Sequence, residues 1–335
     1  MARDPLFRCM RILLMGLTLI LGLVSSRADG ITVVLLGTGG PELTRGRQGA
    51  ATLIEAGGHR LLFDTGRGVL QRLYEARVDP AKVTEVFFTH LHSDHIEGLP
   101  SLWMTGWFLL GRTEPMAFYG PDGTEAMLRG MEGFLGHDLV ARVHSPVRPP
   151  GLTYAVHEIK ADGVCFDRDG LVVTAFLVDH KDGNPAFGYR IDYQGHAVVL
   201  SGDCTYSQNL IAHAQKVDLL VHNVFAVSDE ILMHNPGERA VALKLAPPEL
   251  VASVFAETRP KLAALSHVIR IGLKDEEVVA RIRASGYKGP LLMGLDRTVI
   301  RVGDTVIVEQ PASLDHLPDA AKPGDVGDGS GKLPI

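Results

Sequence analysis

His90-Leu91-His92-Ser93-Asp94-His95 puts four metal-ligating side chains within six residues, directly after the apolar run at 83–88. Imidazole and carboxylate together suit zinc and related first-row ions. A strand that ends in a His-x-His turn can aim two imidazoles at one ion. The Asp94-His95 pair that follows can reach a second ion a few ångströms away. A chain with this turn is expected to end a buried strand at a metal floor, with a polar turn of solvated histidines as the alternative.

The rest of the chain repeats that rule. Residues 171–178 read as a strand followed by Asp179-His180, residues 197–200 as a strand followed by Ser201-Gly202-Asp203, and residues 262–265 as a strand followed by Ser266-His267. Residues 31–36 form a strand ending in Gly37-Thr38-Gly39-Gly40-Pro41. That run lacks the Gly-Lys-Ser/Thr ending of a phosphate loop and reads as a tight turn near the metal floor. Residues 51–55 and 60–63 look like a hairpin around Gly57-Gly58. Helices are predicted over 68–77, 207–215, 248–257 and 275–284 by their apolar spacing. This order suits two packed sheets with helices outside.

Length allows one large domain over residues 29–310 with a sizeable core. The net charge of −6 offers no basic footprint for nucleic acid. Arg3, Arg8 and Arg11 precede an apolar stretch at 12–24, and Ser26 and Ala28 supply small residues at −3 and −1. Residues 1–28 therefore read as a secretory signal cleaved after Ala28, with an uncleaved anchor as the alternative. Cys9 precedes the apolar run and is not placed as a lipid-attachment cysteine. The mature chain then holds Cys165 and Cys204, for which a disulfide and two free thiols both stay open. Residues 311–335 are rich in Pro, Gly, Asp and Ser and read as a disordered tail.

The His90–His95 hexapeptide resembles the signature of the metallo-β-lactamase superfamily. His180-Lys-Asp-Gly-Asn-Pro-Ala-Phe187-Gly188-Tyr189-Arg190, Ser201-Gly202-Asp203, Asp218-Leu-Leu-Val-His222 and Leu265-Ser266-His267 are similar to its ribonuclease Z-like and arylsulfatase-like branch, over about residues 31–301. The resemblance implies an α+β, four-layer αββα sandwich and a dinuclear metal hydrolase. It also implies a ligand scheme: His90, His92 and His180 on one ion, Asp94, His95 and His267 on the other, and Asp203 between them. Two zinc ions are the default, with manganese or iron as substitutes. Asp94 and Asp203 are then the catalytic carboxylates, serving attack by metal-bound hydroxide.

The chain also departs from that branch. Relatives carry a glutamate after the residue matching His222, where this chain has Asn223. Relatives carry a His-Ser/Thr-Thr element before the next helix, where this chain reads Lys244-Leu245-Ala246-Pro247-Pro248. Leu245, or Lys244 if the register slips by one, stands where that histidine would donate a proton. General-acid help is worth roughly 10²–10⁴ in rate, so good leaving groups are favoured. The tRNA-gripping arm of the processing ribonucleases is also missing, since residues 191–200 alone separate the Gly-Tyr-Arg and Ser-Gly-Asp elements.

The expected function is an exported zinc-dependent hydrolase of small phosphodiesters, sulfate esters or related esters, periplasmic or secreted. It would have no tRNA partner and no stable membrane association after signal cleavage, and a homodimer stays open. The alternatives are a lactone or amide hydrolase with Tyr189 as oxyanion donor, and a metal-binding protein with little catalysis. His222 and Asn223 are candidates to support the ligands, and His234 on a loop is a candidate substitute acid. Trp103 and Trp107, four residues apart, could floor a substrate pocket, although helix packing is the simpler reading. Cys204 reads as a small buried thiol, with a thiolate ligand as the alternative. His59, His137, His144, His157, His196, His213 and His316 have no ligand neighbours in sequence.

Overall fold

A computed structural model describes residues 30–145, 147–309 and 311. The proposed signal, His316 and residues 312–335 of the expected tail lie outside the described residues.

Among these residues fifteen strands form two sheets, of eight and seven strands. The first sheet contains β1 (Ile31–Gly37), β2 (Ala51–Ala56), β3 (His59–Phe63), β4 (Glu85–Phe87), β5 (Met116–Pro121), β6 (Tyr154–Ile159), β14 (Thr298–Val302) and β15 (Val306–Glu309). Its order is β15-β14-β1-β2-β3-β4-β5-β6. The second contains β7 (Gly163–Arg168), β8 (Leu171–Val178), β9 (Ala186–Tyr193), β10 (His196–Leu200), β11 (Leu219–Val227), β12 (Leu262–Ile271) and β13 (Leu291–Met293). Its order is β13-β12-β11-β10-β9-β8-β7. Gly57 and Gly58 at the β2–β3 turn have φ of 61° and 87°, as a two-residue hairpin of mirror-image type requires.

One core lies between the sheets and includes Val33, Phe63, Phe87, Ile191, Leu219 and Ile300. A second core packs the outer face of the seven-stranded sheet against α6 (Gln208–His213), α9 (Pro248–Thr258) and α10 (Asp275–Ala284). A third packs the outer face of the other sheet against α1 (Val69–Glu75), α3 (Leu99–Phe108) and α4 (Thr124–Phe134), which α5 (Gly136–Arg142) follows. The result is the expected four-layer αββα sandwich. Every residue of β11 is buried, because sheet and helices cover its two faces. Two short helices, α7 (Asp229–His234) and α8 (Pro236–Ala242), link β11 to α9.

Several expected boundaries shift, three of them near the site. The strand before the metal motif is Glu85–Phe87 rather than 83–88, since Val83 closes the turn Pro80–Lys82. Helix α1 starts at Val69 because Gly68 adopts a left-handed φ of 82°. Strand β12 continues to Ile271 rather than stopping at 265, paired with β11 as far as Val227↔Ile271. His267 thus sits inside a strand and not beyond one. It has φ 46°, beside the register irregularity at His222/Val224.

Candidate metal centre

Asp64, just after β3, organises the motif turn. Its carboxylate accepts hydrogen bonds from Thr89 N (2.8 Å), Thr89 Oγ1 (2.9 Å) and His95 Nδ1 (2.8 Å). The turn then enters the single-turn helix α2 (Ser93–Ile96), with His92 at its N-cap. Asp94 and His95 lie on that turn, both buried. Sequence reasoning did not single out Asp64. Its signal is a carboxylate directly after the strand that pairs with β4.

The seven expected ligands converge. His90, His92 and His180 form one group, His90, His95 and Asp203 a second, and Asp94, His95 and His267 a third; donor atoms within each group lie within 4.8 Å of one another. Asp203 Oδ2 stands 3.1 Å from His267 Nε2, 3.5 Å from His95 Nε2 and 3.9 Å from His180 Nε2. It therefore lies between the two sets. Outer nitrogens fix several rings: His180 Nδ1 lies 3.0 Å from the Lys244 carbonyl, and His90 Nδ1 lies 3.0 Å from Thr89 Oγ1. Such contacts orient the inner nitrogen of a ligating histidine.

The electrostatics suit a cation. Burial works to raise the Asp203 pKa, but the facing His267 and His95 imidazoles hold it well below the usual carboxylate range. Burial opposes charge on His95 and His267 too, yet the Asp64 and Asp203 carboxylates raise the first and Asp203 and Asp94 raise the second. Burial and neighbouring imidazoles push His90 well below its ordinary value. Nε2 of His90 and of His95 are buried without a hydrogen-bond partner. A cavity rich in imidazole lone pairs and carboxylate charge fits two divalent ions.

The remaining candidates take different places. His222 is buried next to Asp203, with Nδ1 2.7 Å from the Asn223 carbonyl, and burial lowers its pKa to about 4. The Asn223 amide accepts from Ser201 Oγ and Cys204 Sγ and donates to the Cys204 carbonyl (3.1 Å). Leu245 packs with Phe225, Val227 and Ile269, so no acid stands there. The Lys244 ammonium is paired with Asp182 at 2.6 Å.

Tyr189 is fully buried and its hydroxyl donates to the Phe88 carbonyl at 2.7 Å, which overturns the oxyanion-donor reading. His234 ends helix α7 rather than lying on a loop, and its Nδ1 faces the Glu230 carbonyl at 2.8 Å. Trp103 is fully buried in the core under α3, edge-on to Tyr154. Trp107 lines a shallow surface with Phe108, Ala141, Arg142 and His144. Trp103 belongs to the core between the first sheet and its helices and Trp107 packs against that core, so helix packing is the role the structure gives them. Cys165 and Cys204 are both free. Burial raises both thiols, Cys165 to about 12. Cys204 Sγ donates to Asn223 Oδ1 and belongs to none of the three ligand groups, which favours the buried-thiol reading.

Residues 59–268 match the family model described as the beta-lactamase superfamily domain. The chain is 33% identical over 273 residues to a ribonuclease Z of Mycobacterium bovis (strain BCG / Pasteur 1173P2), covering 79% of this chain and 96% of that one. It is 36% identical over 214 residues to a ribonuclease Z of Mycobacterium avium (strain 104), covering 62% and 75%. Among solved structures, the short form of human tRNase Z aligns with TM-score 0.63 at 23% identity, over 81% of this chain and 99% of that one. A metallo-beta-lactamase fold protein from Bacillus subtilis aligns with TM-score 0.63 at 18% identity, over 81% and 99%.

Proposed function

The chain belongs to the beta-lactamase superfamily and is a metal-dependent, ribonuclease Z-like hydrolase, and from that premise we propose an exported dinuclear zinc enzyme acting on small phosphodiesters, sulfate esters or related esters. The observation that carries this reading is the position of Asp203 between the His90/His92/His180 and Asp94/His95/His267 sets. Bound there, two ions would activate a water and polarise the ester oxygen.

The chain's own groups set the rest. Asp203 and Asp94 stay ionised, because the surrounding imidazoles hold both carboxyl groups below their ordinary pKa against the effect of burial. They supply the negative charge that offsets the cations and fixes the imidazole planes around them. Asp64 holds the His95 ring through Nδ1, and the Lys244 carbonyl holds the His180 ring. Neither Leu245 nor Asn223 can deliver a proton to a departing oxygen, since one is apolar and the other has its amide engaged. The leaving group must depart with its charge largely unrelieved. Aryl esters fit that requirement and simple alkyl esters do not.

The turn between β9 and β10 is two residues, Gln194 and Gly195, both with positive φ. A tRNA-gripping arm at this point is therefore absent, which supports a small substrate over tRNA. The lactone and amide reading loses its oxyanion donor with Tyr189. Hydrolysis of bis-aryl phosphate and aryl sulfate by zinc-loaded protein lacking residues 1–28, beside a precursor tRNA, tests the proposal. Turnover of either aryl ester without tRNA cleavage is expected. Cleavage of the tRNA without turnover of the aryl esters would contradict it.

A further inference from the structure

His222 and His267 line one cavity, and Nε2 of His222 and Nδ1 of His267 are buried without a protein hydrogen-bond partner. The cavity measures about 50 Å³ and lies between the start of β2, the ends of β3 and β10 and the middle of β11, next to Asp203. A water needs roughly 10–15 Å³ on this measure, so there is room for about three. Thr52, Ser201 and Ser266 also line it, which makes the walls polar enough to hold water.

The protonation of both rings follows from their other contacts. His222 Nδ1 faces a carbonyl oxygen, which can only accept, so Nδ1 carries the proton and Nε2 offers a lone pair. His267 turns Nε2 toward Asp94 (3.2 Å) and Asp203 (3.1 Å). With Nε2 given to an ion, Nδ1 carries the proton and needs an acceptor. A donor and an acceptor thus share one cavity and do not bond each other directly. The contrast with the other buried ligands is clear: the outer nitrogens of His90, His95 and His180 have Thr89, Asp64 and the Lys244 carbonyl.

We propose that a buried water in this cavity accepts from His267 Nδ1 and donates to His222 Nε2, so that His222 positions His267 for the ion held with Asp94 and His95. His222 is a positioning residue: it acts through the water on the ring plane and tautomer of a ligand. The inference rests on the two-ion reading above and adds to it the partner of the seventh ligand. Loss of such an outer partner typically weakens metal binding by about 10–100-fold.

The test is a zinc titration of the full-length protein in competition with a chromophoric chelator, for parent, His222→Phe and His222→Gln. Phenylalanine removes the acceptor and fills the cavity, while glutamine keeps an acceptor oxygen. The expected result is one ion bound about 10–100-fold more weakly in His222→Phe, the other ion unchanged, and affinity largely restored in His222→Gln. Equal weakening of both ions, no weakening, or no restoration would overturn the proposal. A high-resolution crystal structure of the parent gives an independent reading, with water density within hydrogen-bond distance of both nitrogens expected. No water there, or a protein partner on His267 Nδ1, would overturn it. A parent that takes up fewer than two ions contradicts the two-ion reading instead, and the density then decides the water by itself.

Discussion

At the scale of single residues, the chemistry of this site depends on one missing proton donor and one carboxylate outside the ligand set. With Leu245 packed on Phe225 and Ile269, kcat/KM should fall steeply as the leaving group becomes more basic. A series from nitrophenyl to phenyl to alkyl phosphodiesters reads this directly, and a flat series would mean that another group protonates the leaving oxygen. Asp64 gathers three hydrogen bonds from the motif turn. Asp64→Asn places a donor where His95 Nδ1 needs an acceptor and should cost about 10–100-fold in zinc affinity, measured by chelator competition. The seven-residue cluster was legible in the sequence because imidazole and carboxylate at strand ends advertise their chemistry locally. Asp64 was not, because its partner His95 lies 31 positions away and only the parallel pairing of β3 with β4 brings them together. The strain at His267 was hidden for the same reason. Its positive φ depends on β12 continuing past the ligand alongside β11, a pairing that apolar spacing does not reveal.

At the scale of elements, buried carboxylates tie loops to strands. Asp296 accepts from Thr38 N (2.9 Å), Thr38 Oγ1 (2.7 Å) and Gln48 N (2.7 Å), and pairs with Arg72 at 3.0 Å. The Thr38 carbonyl in turn accepts from Val268 N, next to His267. Removing a buried, paired carboxylate costs about 3–5 kcal/mol, and Asp296→Ala should lose that much in urea unfolding. A loss under about 1 kcal/mol, within the range of an exposed pair, would show the network to be dispensable. Asp218 joins β10 to the start of β11, accepting from Ala197 N (2.8 Å) and paired with Lys261 (2.6 Å). Burial acts to raise its pKa, but the Lys261 and Ala197 hydrogen bonds outweigh it and the net shift is downward. A depressed carboxylate stabilises the fold above its unfolded pKa of about 3.9 and loses that contribution as pH falls through the folded value. The stability gap between parent and Asp218→Asn should therefore be full above about pH 5 and narrow on further acidification. A gap that does not change with pH would contradict the assignment.

At the scale of the whole molecule, the sandwich brings ligands from β4, β8, β10 and β12 to one end of both sheets. The layer order was readable from the alternation of strands and helices, since each apolar face must find a cover. For the tryptophans of α3, helix packing was the simpler reading and is what the structure shows; spacing reveals that Trp103 and Trp107 share a face, but not which core that face meets. An exported enzyme should be recovered from cells with an intact mass starting at Asp29, and a mass that includes residues 1–28 would contradict cleavage after Ala28. The most direct test of the central claim joins metal content to turnover on protein lacking residues 1–28, for parent and Asp203→Ala. The account predicts two ions per parent chain and aryl phosphodiester hydrolysis that disappears in Asp203→Ala. Fewer than one ion per chain after zinc is supplied, or turnover that survives the loss of Asp203, would contradict it.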